Sequence, residues 1–161
     1  PDLTLAMGRA FRQRFDALGV GAVDLIVTAE VSGIGPAFAA GVAYGVPVVY
    51  ARKKRPVTMP GTVLEAHAPS RTKGGTTPLI VSPEVLGAGD RVLLIDDFLA
   101  SGATIQGLVR LAQTAGAQLV GIGALVEKTF EGGREALQAY GVPVHSLVAI
   151  TSMDDGQITF A

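Results

Sequence analysis

The stretch that decides the fold is Arg91–Thr104, which reads R-V-L-L-I-D-D-F-L-A-S-G-A-T. Its apolar run, Val92–Ile95, is unbroken, as expected of a strand buried on both faces of a parallel sheet. Two acids, Asp96 and Asp97, follow the run, and a turn of small residues then opens a helix predicted over 105–115. Ligands of open α/β sheets bind outside the carboxyl ends of the strands, so this stretch predicts a binding site.

The small residues after the two acids fit a turn that binds an anion. Free N–H groups at a helix N-terminus hold phosphates, small side chains let the backbone come close, and hydroxyl groups add donors. The residues of this turn are Ala100, Ser101, Gly102, Ala103 and Thr104.

Apolar runs on both sides of this stretch predict an α/β domain with a mainly parallel five-stranded sheet flanked by helices. The strands are predicted over 24–29, 46–51, 92–95, 119–126 and 144–150. The helices are predicted over 2–18, 36–44, 105–115 and 131–140, and a short edge strand over 157–160. Two further segments, 62–68 and 77–82, are expected to pair as a hairpin with a polar, glycine-bearing tip.

Length and composition favour one globular domain over residues 1–161, since the chain has 48% apolar and 17% charged residues. The net charge of −1 disfavours a nucleic-acid partner. The sequence has no apolar run near the ~18 residues that a membrane helix requires, so we expect no membrane partner. The absence of cysteine excludes disulfides and cysteine metal sites, and the simplest expected location is the cytoplasm.

Three competing motifs are absent from the sequence. The pattern G-x-x-x-x-G-K-[ST] does not occur, which excludes a P-loop NTPase. The G-x-G pairs lack the third glycine of a dinucleotide-binding fingerprint. G-x-S-x-G is also missing, which disfavours an esterase.

The apolar run, the two acids and the small-residue turn ending in Thr resemble the phosphoribosyl pyrophosphate (PRPP) motif of the type I phosphoribosyltransferases. The longer run D-D-F-L-A-S-G-A-T, with A-R-K-K at 51–54 and V-E-K-T-F at 126–130, resembles their xanthine phosphoribosyltransferase subgroup. The resemblance covers nearly the whole chain. It implies the type I phosphoribosyltransferase fold with a flexible hairpin lid, a homodimer, and a reaction in which a purine nitrogen attacks C1′ of PRPP and diphosphate leaves.

The resemblance also implies roles for the loops at the sheet edge. Asp96 and Asp97, which only accept hydrogen bonds when ionised, hold the ribose hydroxyls, and the turn at 100–104 holds the 5′-phosphate. The residues implied to contact the diphosphate are Ser32, Gly33, Arg52 and Lys53. The candidates on the lid are Arg71 and Lys73. Mg²⁺ is expected to arrive on PRPP, with no dedicated protein cage.

Taken from the residues alone, each of these segments has a plainer interpretation. The acid pair also suits a solvated strand end or the metal ligands of another α/β family. The glycine loop at 32–35 also suits an ordinary strand-to-helix turn, and the basic run at 52–55 a solvated surface. The segment at 69–75 equally suits an exposed hairpin tip. His67 and His145 are expected to be structural.

Lys128 and Phe130 follow the fourth predicted strand and bear on the identity of the base. An ammonium group donates but does not accept, so Lys128 suits an oxo group at purine position 6 and not an amino group. Phe130 is placed to stack on the base. Their plainer interpretations are a surface lysine and a core aromatic. Members specific for hypoxanthine and guanine carry an acid where this chain has Ala100, so the proton step has no assigned residue.

These observations favour a purine phosphoribosyltransferase that converts xanthine and PRPP to xanthosine 5′-monophosphate and diphosphate in purine salvage. The alternatives are an adenine or a hypoxanthine/guanine phosphoribosyltransferase, or a non-enzymatic PRPP-binding regulatory domain. The family uses an N-terminal segment in its base pocket, and we expect that segment to be absent from a chain that begins at Pro1.

Overall fold

The computed structural model describes residues 1–59, 61–69 and 74–161. Its strands are β1 (Leu25–Ala29), β2 (Val48–Ala51), β3 (Leu64–Pro69), β4 (Thr76–Val81), β5 (Arg91–Leu99), β6 (Gln118–Lys128), β7 (Val144–Asp154) and β8 (Gln157–Phe160). Its α-helices are α1 (Asp2–Ala17), α2 (Ile34–Tyr44), α3 (Ala103–Thr114) and α4 (Gly133–Gln138). A 3₁₀ turn, Thr129–Glu131, joins β6 to α4.

The main sheet has the strand order β2-β1-β5-β6-β7-β8. The first five strands in that order run parallel, which confirms the predicted parallel sheet. The predicted edge strand, β8, adds an antiparallel sixth strand beside β7. Strand β5 lies at the centre, between β1 and β6, and the run Val92–Ile95 is fully buried as its composition predicts.

Strand β5 is longer than the sequence predicts. The apolar run ends at Ile95, but β6 continues to pair with β5 as far as Leu99, opposite Glu127. The two acids therefore lie within the last part of the strand and not beyond it. Backbone pairing with a neighbouring strand extends β5, and the hydrophobic pattern does not report that pairing.

The helix predicted over 131–140 is shorter in the structure. Residues Thr129–Glu131 form the 3₁₀ turn, and Gly132 takes a left-handed conformation with φ of 73°. Helix α4 therefore begins at Gly133.

The predicted hairpin is confirmed as the antiparallel pair β3–β4, with Leu64 opposite Val81 and Pro69 opposite Thr76. It is tied to the main sheet where Arg52, just after β2, exchanges two backbone hydrogen bonds of 2.9 Å with Ile80. The proposed lid residues Arg71 and Lys73 lie outside the described residues. The hairpin thus stands over the carboxyl ends of the parallel strands from the β2 side.

Apolar side chains cover both faces of the sheet, because alternate residues of β5 point in opposite directions. Leu93 and Ile95 pack with α1 and α2, while Leu94 packs with α3 and the β3–β4 hairpin. Fully burying one such side chain stabilises the fold by about 1.5–3 kcal/mol. Within the described ranges, no helix has the length and apolar character needed to cross a membrane.

Helix α1 packs across α2 at very close range. Its buried residues include Phe11 and Phe15, as the predicted amphipathic pattern requires. At the crossing, a Cβ on Gly8 would lie 2.9 Å from the backbone nitrogen of Ala40 and would overlap the carbonyl group of Ala39. Only a residue without a side chain fits between these two backbones.

We therefore expect Gly8→Ala to lower the free energy of unfolding by about 1–3 kcal/mol, because the helices must separate to admit the methyl group. Urea denaturation followed by circular dichroism measures this change. Gly35→Ala in α2 is the matched control, since a Cβ there has no neighbour within 4 Å. An unchanged stability in Gly8→Ala would contradict the close crossing.

Candidate active site

A cavity of about 550 Å³ lies at the carboxyl ends of the parallel strands, between the start of α3 and the β3–β4 hairpin. One wall is formed by Lys53, Phe98 and the small-residue turn at 100–104. The opposite wall is formed by 68–69 and 76–79 of the hairpin. The structure therefore brings the predicted phosphate-binding turn and one of the predicted diphosphate-binding residues to the same cavity.

The small-residue turn is shaped by Gly102. This residue adopts a left-handed φ of 77° immediately before α3, a conformation that costs a residue with a side chain about 1–2 kcal/mol. Its carbonyl oxygen accepts the first helical hydrogen bond, from the amide of Gln106 at 2.9 Å. The amide groups of the first helical turn, from Ala103 onward, have no partner further back in the helix and lie at the cavity wall.

The acidic pair has one buried member. Asp96 is 6% exposed, and its Oδ1 accepts a 3.0 Å hydrogen bond from the amide of Asp97. Burial and the charge of Asp97 together raise the pKa of Asp96 to about 8, and the charge of Lys53 opposes the shift. Asp96 therefore keeps a proton at neutral pH, which the expectation of two ionised acceptors did not foresee.

The loop after β1 lies directly against Asp96. Gly33 is buried, and a Cβ on it would lie 2.5 Å from Oδ1 of Asp96 and would overlap the hydroxyl of Thr28. Ser32 beside it is exposed. The same loop contains a cis peptide bond between Glu30 and Val31. The structure therefore places the predicted diphosphate-binding loop next to the predicted ribose-binding acids.

Glu30 organises the basic run and was missed by the sequence reasoning. Its Oε1 accepts a 2.7 Å hydrogen bond from the backbone amide of Lys53, and its Oε2 lies 3.9 Å from Nε of Arg52. An acid that directly follows a buried strand was the available signal. Arg55 points elsewhere, since its guanidinium donates to the carbonyl oxygens of Met59 and Gly61.

Lys128 and Phe130 lie at the carboxyl end of β6, beside β5, but they do not line the 550 Å³ cavity. The ammonium of Lys128 is 3.6 Å from a carboxylate oxygen of Glu131, and its side chain is 28% exposed. Phe130 is 52% exposed, so the alternative that it is a core aromatic is wrong. Its ring is available at the surface beside the strand end.

Glu127 is a second buried acidic side chain, at the end of β6, and the sequence reasoning did not identify it either. It is 1% exposed, and Nε and Nη2 of Arg134 both donate to its carboxylate, the former at 2.8 Å. Burial alone would raise the pKa of Glu127, but the hydrogen bonds from Arg134 and Ser146 and the Arg134 charge hold it below its ordinary value. This pair lies directly behind the segment that carries Lys128.

The two histidines have structural surroundings. His145 accepts a 3.2 Å hydrogen bond from Nε of Arg14 and packs edge-on against Phe15. Burial and the charges of Arg14 and Arg134 hold the pKa of His145 below its ordinary value, so it is neutral at pH 7. His67 lies on the exposed face of β3, 3.2 Å from Glu65.

Residues 2–147 match the family model of the phosphoribosyl transferase domain. The chain is 54% identical over 156 residues to a protein of Deinococcus deserti named xanthine phosphoribosyltransferase, covering 97% of this chain and 79% of that one. It is 46% identical over 160 residues to a Listeria monocytogenes protein of the same name, covering 99% and 82% of the two chains.

Solved structures with a similar fold include proteins named adenine phosphoribosyltransferase. One from Saccharomyces cerevisiae, complexed with an imino-altritol bisphosphate and adenine, has a TM-score of 0.76 and 27% identity, covering 91% of this chain and 80% of that one. One from Thermoanaerobacter pseudethanolicus has a TM-score of 0.70 and 29% identity, covering 91% and 84%. The domain match and these identities, joined to the site at the end of β5, show that the chain belongs to the phosphoribosyltransferase family and has its type I fold.

Proposed function

We propose that this protein is a xanthine phosphoribosyltransferase of purine salvage. A purine nitrogen attacks C1′ of PRPP, the bond from C1′ to the diphosphate oxygen breaks, and xanthosine 5′-monophosphate and diphosphate form. The observation that carries the proposal is the arrangement of Asp96, Asp97 and the turn at 100–104 around one strand end. The identity of 54% to a relative named xanthine phosphoribosyltransferase supports the substrate.

The PRPP-binding roles follow from the chemistry of the cavity wall. Amides and hydroxyls of the turn at 100–104 suit the 5′-phosphate, and Asp96 and Asp97 suit the ribose hydroxyls. Lys53, which lines the cavity, and the Ser32-Gly33 loop suit the diphosphate. Arg52 is assigned beside Lys53, and Arg71 and Lys73 are proposed for a lid. Such positioning supplies roughly 7–11 kcal/mol of a barrier, so the reaction needs no protein nucleophile.

Mg²⁺ is proposed to arrive on PRPP. Among the described residues, no group of three or more acidic or histidine side chains is placed to hold a metal ion. Mg²⁺ keeps its waters and binds mainly to substrate phosphates, so it needs no such group of protein ligands. Carried on PRPP, Mg²⁺ would supply positive charge that stabilises the leaving diphosphate.

Lys128 is proposed to donate to the 6-oxo group of the base, and Phe130 to stack on its face. The ammonium of Lys128 lies 3.6 Å from a carboxylate oxygen of Glu131, at the strand end next to Phe130. The second candidate is adenine as the base, because the similar solved structures include proteins named adenine phosphoribosyltransferase. A donor-only ammonium argues against it, because adenine presents an amino group at position 6.

We further propose that residues 1–161 form one domain, that the protein acts as a homodimer in the cytoplasm, and that it uses neither nucleic acid nor membrane as a partner. The family match over residues 2–147 supports the single domain. The homodimer is proposed from the family resemblance.

The direct test mixes the protein with Mg²⁺, PRPP and each purine base in turn. We expect xanthosine 5′-monophosphate to form fastest, with hypoxanthine and guanine slower and adenine slowest, as followed by chromatography of the nucleotides. Preferred turnover of adenine would establish the second candidate. Binding of PRPP without turnover of any base would establish a regulatory domain.

For Lys128→Ala, we expect kcat/KM for xanthine to fall by roughly 10- to 100-fold, because a hydrogen bond to a charged donor contributes about 1.5–3 kcal/mol. The affinity for PRPP should remain, since the ammonium does not line the phosphate cavity. Steady-state kinetics with each substrate varied in turn separates the two effects. Arg9→Ala, on the exposed face of α1, is the control, and equal losses for both substrates would contradict the role.

For Asp96→Asn, we expect a change in how stability depends on pH. The carboxyl group has a pKa of about 8 when folded and an ordinary value of 3.8. The unfolded chain therefore releases this proton at lower pH than the folded protein, so the stability contributed by Asp96 declines from about pH 4 to about pH 8. Asp96→Asn should remove this decline in urea denaturation measured across that range.

The control for this titration is Asp154→Asn, which removes an exposed carboxylate at the end of β7. Its free energy of unfolding should follow the wild-type dependence on pH. Parallel curves for Asp96→Asn and the wild type would show that Asp96 is already ionised in the folded protein.

A further inference from the structure

The segment that follows β6 carries both residues proposed to read the base. We call residues 128–134 the base segment. We propose that Arg134, at its far end, is a positioning residue that fixes the base segment relative to the phosphate-binding turn and so determines which base reacts. The inference rests on the proposed function and adds a residue that makes no contact with the base.

Arg134 is fastened to two strands at once. Its Nε and Nη2 bind the carboxylate of Glu127 on β6, while its Nη1 donates to the carbonyl of Val144 on β7 at 2.8 Å. Nη2 also lies 3.5 Å from the hydroxyl of Ser146. Because the guanidinium is planar and binds in two places, it fixes orientation as well as distance. Lysine, with one mobile ammonium, does not reproduce this geometry.

Burial makes this pairing difficult to break. Glu127 is 1% exposed, and loss of its partner would leave a charge buried in the protein. The base segment therefore leaves β6 and is tied back to the same strand within seven residues. We call the pair of Arg134 with Glu127 that ties it the clamp. By comparison, the contact of the base segment at Thr129 is a single hydrogen bond of 3.2 Å to the carbonyl of Ile150.

The residue before Arg134 lies directly on the phosphate-binding turn. A Cβ on Gly133 would lie 2.9 Å from the backbone nitrogen of Gly102 and would overlap the carbonyl oxygen of Ala100. In the reverse direction, a Cβ on Gly102 would lie 3.3 Å from the carbonyl oxygen of Gly133. The clamp at Arg134 therefore keeps the end of the base segment in contact with the backbone that is proposed to hold the 5′-phosphate.

This connection sets a distance that the reaction requires. The base must meet C1′ of a ribose whose phosphate is held by the turn, so the offset between turn and base segment decides whether the attacking nitrogen reaches C1′. The turn itself is retained by β5 and by the first hydrogen bond of α3, from Gln106 to Gly102. Loosening Arg134 should consequently disturb the base and leave the phosphate site intact.

The test uses two variants of the clamp in the full chain. Arg134→Lys keeps the positive charge but loses the paired contact of two guanidinium nitrogens with the carboxylate of Glu127. The double variant Glu127→Gln/Arg134→Gln replaces the ion pair by two neutral amides, which leaves no buried charge unpaired and so protects folding. The matched control is another two-point arginine–carboxylate pair, Arg91 with Asp24, whose nitrogen–oxygen distances are 2.7 and 2.6 Å. That pair lies at the opposite ends of the strands, away from the cavity.

For both clamp variants, we expect kcat/KM for xanthine to fall by on the order of tenfold, because a displacement of ~1 Å can lower the rate by up to ~100-fold. The preference for xanthine over guanine and hypoxanthine should decrease, and the KM for PRPP should stay unchanged. Arg91→Lys and Asp24→Asn/Arg91→Gln should leave all of these constants unchanged. Circular dichroism melting reports any general loss of stability separately.

A binding measurement makes the inference independent of turnover. By calorimetry, the clamp variants should bind xanthosine 5′-monophosphate about tenfold more weakly than the wild type and ribose 5-phosphate equally well. Equal weakening of both ligands, unchanged binding of both, or the same effect in the Arg91 variants would overturn the positioning role. A wild-type protein that binds the nucleotide but turns over no purine would refute the proposed function alone, and the comparison of the two ligands would still decide the role of Arg134.

Discussion

The site is assembled by backbone lying directly on backbone or on a buried carboxyl group. Gly33 leaves no space for a Cβ beside Asp96, and Gly133 leaves none beside Ala100 and Gly102. The loop after β1 therefore lies against the end of β5, and the segment after β6 lies against the turn that follows β5. This close approach matters for a reaction that depends on positioning, because small displacements of the reacting atoms carry large penalties in rate.

The charges around these contacts are arranged so that the cavity can receive an anion. Glu30 holds the backbone amide of Lys53, which leaves the lysine side chain to line the cavity. With a pKa of about 8, Asp96 keeps a proton at neutral pH and adds no negative charge there. The buried Glu127 is already paired with Arg134. Asp96 is thus neutral and Glu127 engaged, so these two carboxyl groups repel a phosphorylated ligand less than two free carboxylates would.

The sequence predicted the parts of the molecule that depend on contiguous residues. The apolar run at 92–95 located the central strand, and the five parallel strands and the hairpin followed from the same kind of pattern. The length of β5 was underestimated, because its last residues belong to the sheet through pairing with β6 and not through their own hydrophobicity. The predicted start of α4 was also wrong. Gly132, in a left-handed conformation, ends the 3₁₀ turn, and the helix begins only after it.

The same contrast separates the part of the site that the sequence predicted from the part that it did not. A phosphate is bound largely by backbone amides, and a short run of small residues after a strand is enough to place them, so the turn at 100–104 was visible in the sequence. The base is proposed to be read by Lys128 and Phe130, whose segment is connected by the Arg134–Glu127 pair and by the contact of Gly133 with the turn. Those contacts join distant elements, which no local pattern reports.

The same division explains how one fold accommodates proteins named for different purines. The similarity to solved structures named for adenine covers 91% of this chain, whereas the base segment is only seven residues long, 128–134. We propose that a change in how that segment is held alters the base that reacts and leaves the rest of the fold in place.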